Sequence, residues 1–152
     1  MALLKNADSG IAMLPQPYVT VAMNSVEGLN IAINLNEEWK KIDSETLFIT
    51  GVLVARSDFL DANTDRIKRF LNEYKDSIEY ANENIKDASL LVEKYGIFAA
   101  SIAEKAIPFC NLQFINGTEM KTVLSGYLNT LYTYNANAVG GNMPADDFYY
   151  AN

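Results

Sequence analysis

The chain contains no histidine. That absence removes the Ser-His-Asp and Cys-His routes to an activated nucleophile and any zinc site that needs imidazole. It also removes the general base that titrates near neutral pH. Carboxylate and lysine mechanisms are the routes left to an enzyme. Cysteine is nearly absent too: Cys110 stands alone, so no disulfide forms within the chain, and the compartment stays open. Cys110 lies beside Pro108 and Phe109 and has no imidazole to activate it, so it reads as a small apolar residue. No apolar run approaches the 18 residues of a membrane span. Positive charge is scarce: 12 Lys and Arg against 19 Asp and Glu leave a net charge of -7. Phosphate backbones and anionic membranes attract basic surfaces, so the balance argues against both as partners. The one dense basic stretch, Arg66 to Arg69, is interleaved with a helix's apolar face and reads as solvated.

What remains is an ordinary globular composition, 49% apolar and 20% charged over 152 residues, enough for one core. "MALLKNADSG" has no basic region followed by a long apolar core, so it does not read as a signal peptide. Ala2 to Asn6 reads as the end of a helix cut open, and targeting information would then lie upstream.

Three stretches read as strands. Ser9 to Leu14 is a short apolar run. Leu29 to Leu35 alternates apolar and polar residues over most of its length. Thr46 to Ala55, "TLFITGVLVA", is β-branched and apolar throughout, as a strand buried on both faces should be. Gly51 in its middle suggests a bulge or a close backbone approach. Asn36 to Glu45 reads as a charged connector holding the only tryptophan, Trp39.

The rest reads as helix. Pro17 suits a first helical turn, because its missing N–H has no partner there anyway, and that helix runs to about Asn24. Ser57 caps a short helix through Leu60. Ile67, Phe70, Leu71, Tyr74 and Ile78 form one stripe of a long helix. Asn84 and Asp87 hint at a new cap, and Gly96 at a stop. "FAASIAEKA" is a short helix ended by Pro108. Asn116 and Glu119 open a last long helix that buries Met120, Val123, Leu124, Tyr127, Leu128 and Leu131. The aromatic tail Phe148, Tyr149, Tyr150 wants to dock. Asp146-Asp147 reads as a solvated pair, so neither a metal site nor a cofactor is expected.

Pro15-Gln16-Pro17 is the most pointed local feature. The two prolines fix φ and remove donors, making a stiff corner that holds one amide toward open space. The helix start at Tyr18 to Thr20 is expected to offer unpaired N–H groups suited to an anionic group. On residues alone the corner is also an ordinary strand-to-helix turn. Thr50-Gly51 reads equally as a bulge or as a pocket edge.

"GIAMLPQPYVTVAM", "LNIAINLNEEWKKI", "TGVLVARSDFLDAN" and "VGGNMPADDFYY", in that order, resemble the C-terminal half of bacterial ABC-importer substrate-binding proteins. The nearest group is the nitrate/sulfonate/taurine and thiamine-pyrimidine type. The resemblance implies an α/β chain, part of a two-lobed periplasmic-binding-protein type II fold, with few strands and about five to seven helices. Residues 1–34 would end the second lobe and cross a hinge, and residues 35–152 would be the helix-rich C-terminal part of the first. Such a chain would be a fragment of a protein about twice as long. It implies transport rather than catalysis: a small molecule captured between lobes and passed to a membrane permease. The whole protein would be extracytoplasmic, free or lipoprotein-anchored. The implied ligand residues are Pro15, Gln16, Pro17, Tyr18, Thr50 and Gly51. The position of Gln16 is often acidic in that family, so a neutral amide implies a different ligand group. The chain supplies few strands for its many helices, so self-association over exposed edges is expected. Two alternatives stand beside this one. The first is an intracellular small-molecule-sensing domain, although no DNA-binding helix-turn-helix is present. The second is a pyrimidine-synthesis-type enzyme of the same fold, which relies on a histidine missing here.

Overall fold

A computed structural model describes residues 9–151; the helix end expected over Ala2 to Asn6 lies outside them. The described residues form helices and connecting chain, with no strand and no sheet. This corrects the α/β expectation. Residues 10–14, 29–34 and 47–55 run without turn or bend, as strands would, but none pairs with another. A strand is defined by its neighbour's hydrogen bonds. Within the described residues no neighbour supplies those bonds to any of the three segments.

The helices are α1 (Tyr18–Ser25), α2 (Leu35–Ile42), α3 (Ser57–Ala62), α4 (Thr64–Glu83), α5 (Ile85–Lys94), α6 (Ala100–Ala106) and α7 (Gly117–Tyr134). Short 3-10 turns follow at Ile107–Phe109, Ala136–Val139 and Asp146–Phe148. The chain divides into two compact units. One holds the residues up to Asn30 with Leu60–Phe114; the other holds Ile31–Phe59 with the chain from Ile115 onward.

The first unit is built on small side chains. Ala88 of α5, Ala103 of α6 and Ile107 form its buried centre, edged by Ala81, Ile85 and Val92. Ser89 and Ala106 are also buried, and Ser89 satisfies its hydroxyl on the Lys86 carbonyl at 2.7 Å. Alanine and serine let α5 and α6 approach closely, because no long side chain separates their backbones. Asn84 ends α4 and begins α5, so one residue joins the two. Gly96 closes α5 at φ +69, a conformation glycine adopts without strain. Its neighbour Ile97 donates its N–H to Val92 across that turn. The predicted α4 stripe is only partly covered: Ile78 is buried, while Phe70 and Tyr74 stack on each other and remain exposed.

The second unit is built on aromatics. Asn36 to Glu45, expected as a connector, is largely helix α2. The Asn34 side chain caps it by accepting from the Asn36 N–H at 3.0 Å. Glu37 and Glu38 sit in its first turn and Lys40 and Lys41 in its last, each sign where the helix dipole favours it. Trp39 is therefore buried, 8% exposed. Its ring meets Tyr127 of α7 at 4.9 Å and Phe48 at 5.6 Å between centroids. Its indole N–H donates to Thr46 Oγ1 at 3.0 Å. Gly126 leaves room on α7 for the Thr46 methyl: a Cβ there would lie 2.4 Å from Thr46 Cγ2. Asp43, just past α2, accepts from Thr130 of α7 at 3.0 Å. Of the tail aromatics Tyr149 docks, and Phe148 stays exposed.

Candidate functional site

The corner at Pro15-Gln16-Pro17 sits in the first unit at the start of α1. Residues 10–14 lead into it as unpaired chain, so it is not the carboxyl end of a sheet strand. The Gln16–Pro17 peptide bond is cis. The Gln16 side chain turns back over the first turn of α1. Its Oε1 accepts from the Thr20 backbone N–H at 3.3 Å and from Thr20 Oγ1 at 2.8 Å. Thr20 is buried, which holds both donors in place.

This geometry fixes which way the amide faces. A backbone N–H only donates, so the atom facing Thr20 must be the amide oxygen. The Nε2 group, with two donors, then points away from Thr20 and has no partner among the described residues. The corner therefore presents donors rather than an acceptor.

The helix start offers less than expected. Pro17 has no N–H, Val19 donates to the Pro15 carbonyl at 3.1 Å, and Thr20 donates to Gln16. In that turn only the Tyr18 N–H remains without a partner among the described residues. The Tyr18 ring is half exposed at 50% and stands edge-on to Phe98, 5.6 Å between centroids. Pro15 is exposed and Pro17 half-buried. Four of the named site residues, Pro15 to Tyr18, thus form one rigid donor-bearing corner with an aromatic side.

Thr50 and Gly51 belong to the second unit. Both are exposed in unpaired chain, so Gly51 marks no bulge, since a bulge needs a paired neighbour. Sequence reasoning placed Thr20 at the helix start with an unpaired N–H; what it missed is that Thr20 turns both its N–H and its hydroxyl onto Gln16. Its signal was present, a glutamine and a threonine four apart across a helix start, where their side chains meet.

No group of three or more Cys, Asp or Glu side chains is placed to hold a metal among the described residues. Asp146 instead accepts from Lys121 at 3.0 Å. Burial raises the Cys110 thiol pKa, and its Sγ donates to the Ala106 carbonyl at 3.3 Å. No helix among the described residues is long and apolar enough to cross a membrane. No family model, curated protein or solved structure matches the chain.

Proposed function

We propose that the chain is the solute-binding component of an ABC importer, or part of one, and that it captures a small molecule and performs no chemistry on it. The helical architecture departs from the sheet-built lobes of that family, so the proposal concerns function and ligand chemistry and carries no claim to that fold. Its support from the sequence is the ordered resemblance of four segments and the lack of histidine. Its support from geometry is one observation: Thr20 locks the Gln16 oxygen inward and leaves the amide donors outward. A ligand with acceptor oxygens, such as a sulfonate, a nitrate or a pyrimidine carbonyl, matches that corner, with Tyr18 as its aromatic wall. The partner implied is a membrane permease, with the protein outside the cytoplasmic membrane.

Gln16→Glu tests this cleanly. A carboxylate keeps one oxygen for both Thr20 donors and caps the helix as before, but it presents an acceptor where the amide presented donors. The assay is thermal shift and calorimetry on the wild-type chain and the variant, with a sulfonate, nitrate and a pyrimidine as probes. One probe should stabilise the wild type, by about 2.7 kcal/mol at a hundredfold excess over Kd. Gln16→Glu should bind it at least about tenfold more weakly, since a hydrogen bond to a charged group contributes about 1.5–3 kcal/mol. Equal binding by both proteins, no binding of any probe, or turnover of the bound probe would refute the reading.

A further inference from the structure

Asn116 is the one asparagine of the chain followed by glycine. It is exposed and stands just before α7. Asn34 and Asn135 also stand just before helical turns, and each locks its side-chain oxygen on the backbone N–H two residues on, at 3.0 and 3.1 Å. Asn116 does not: its carboxamide makes no hydrogen bond among the described residues. Its backbone carbonyl, which accepts from the Met120 N–H at 3.2 Å, is its one anchor there.

Gly117 supplies the other half of the arrangement. It is the first residue of α7, so no carbonyl of that helix reaches back to it. Its N–H has no partner among the described residues. It adopts φ +59, and a Cβ built on it meets nothing within 4 Å. A backbone nitrogen with no partner and no side chain to shield it therefore adjoins an unrestrained carboxamide. Elsewhere one half is missing. Asn36 and Asn137 are followed by N–H groups already bonded, Glu37 to the Asn34 carbonyl at 3.1 Å and Ala138 to the Asn135 carbonyl at 2.9 Å. Asn142 is exposed, but Met143 follows it and carries a long side chain.

We propose that Asn116-Gly117 is a deamidation site of the folded chain, converting Asn116 to aspartate and isoaspartate without an enzyme. Hydroxide takes the Gly117 amide proton, and that nitrogen attacks Asn116 Cγ. The new C–N bond closes a five-membered succinimide, the Cγ–Nδ2 bond breaks, and ammonia leaves. Water then opens the ring. Cleavage of the new bond gives aspartate; cleavage of the original peptide bond gives isoaspartate, whose chain runs on through Cγ. One water enters and one ammonia departs, with nothing oxidised or reduced. Each event adds one negative charge to the net -7. The site needs no ligand and is independent of the function proposed above.

The test is ageing of the full chain in warm, mildly alkaline buffer. Anion exchange follows the charge, and peptide mass spectrometry with isoaspartyl methyltransferase labelling follows position 116. The expected result is a mixture of aspartate and isoaspartate at 116, forming at least about tenfold faster than acid at Asn142. The rate in native buffer should stay within about tenfold of the rate in guanidinium, because the fold leaves both groups free. Gly117→Ala should slow the reaction about tenfold or more, in guanidinium as well as in buffer, where its effect on folding plays no part. A native rate about a hundredfold or more below the unfolded one would show that the fold restrains the pair and would overturn the proposal. So would aspartate without isoaspartate, which is direct hydrolysis, or a Gly117→Ala chain that ages as fast as the wild type.

Discussion

Gly126 sits inside α7, where glycine is a poor helix former, so Gly126→Ala should by propensity stabilise the helix by about 1 kcal/mol. The structure predicts the reverse. The new Cβ would lie 2.4 Å from Thr46 Cγ2, far inside any real carbon–carbon contact. Thr46 cannot simply turn away, because its Oγ1 accepts the Trp39 indole N–H at 3.0 Å and its branched side chain has few alternative rotamers. Forcing a methyl into such a site costs about 1–3 kcal/mol. The net expectation is destabilisation by up to about 2 kcal/mol. Thr46→Ser removes Cγ2 and keeps the hydroxyl. The nearest Thr46 atom is then Cβ at 3.6 Å, an ordinary contact. In that background Gly126→Ala should change sign and stabilise by about 0.5–1 kcal/mol, a coupling of about 1–3 kcal/mol between the two positions. The assay is urea unfolding followed by the fluorescence of Trp39, the only tryptophan, which bonds Thr46 and packs on Tyr127, the residue after Gly126. If Gly126→Ala stabilises the wild-type protein, or has the same effect in both backgrounds, the packing argument is wrong.

Three further expectations follow from other parts of the molecule. Tyr149 is buried with its hydroxyl unpartnered among the described residues. Burial chiefly raises its pKa, the Lys121 charge opposing. Tyr149→Phe removes an unpaid desolvation cost and should be neutral or stabilising by up to about 1–3 kcal/mol; a clear loss of stability in the same unfolding assay would show a missing partner. Asp43 has its pKa lowered below the usual aspartate value by hydrogen bonds, from Thr46 above all, against some desolvation, with the Glu45 N–H and Thr130 adding to it. Its contribution is therefore present above the ordinary carboxylate pKa and lost as pH falls through the lower folded value. Unfolding midpoints measured from neutral to acid pH should fall less steeply for Asp43→Asn than for the wild type. Ala103→Leu pushes a large side chain between α5 and α6 at a buried position and should cost about 1–3 kcal/mol or more; circular dichroism melting that matched the wild type would mean the helices are not held by close approach.

Most helices were legible because their signals are local. Pro17 and Asn84 mark helix starts, and Gly96, with its positive φ, marks a helix end. Helix α2 was missed although its signals were equally local: Asn34 and Glu37 stand three apart, and Trp39 and Ile42 share the next turn. The density of charge between Asn36 and Glu45 hid them, yet those charges are ordered by sign along the helix. The strand readings failed for a different reason. Alternation over Leu29 to Leu35 and β-branching over Thr46 to Ala55 report side chains suited to a sheet, whereas a sheet also requires a neighbour, which local sequence does not report. The corner at Gln16 was legible as a rigid amide-bearing turn. Which end of the amide faces outward was not, since that depends on Thr20 being buried one helical turn away.

The threading of the chain has a practical consequence for anyone who wants to work with one unit alone. Each unit is assembled from two stretches of sequence separated by a long excursion into the other, with crossings after Asn30, Phe59 and Phe114. No single pair of start and stop codons excises either of them. Isolating the first would mean deleting Ile31 to Phe59 and splicing Asn30 to Leu60, whereas an ordinary truncation from either end removes pieces of one unit and strands pieces of the other. Trp39 likewise meets Tyr127 only after the intervening polypeptide closes as one large loop, so the aromatic cluster of the second unit should be among the last contacts to form as the protein leaves the ribosome.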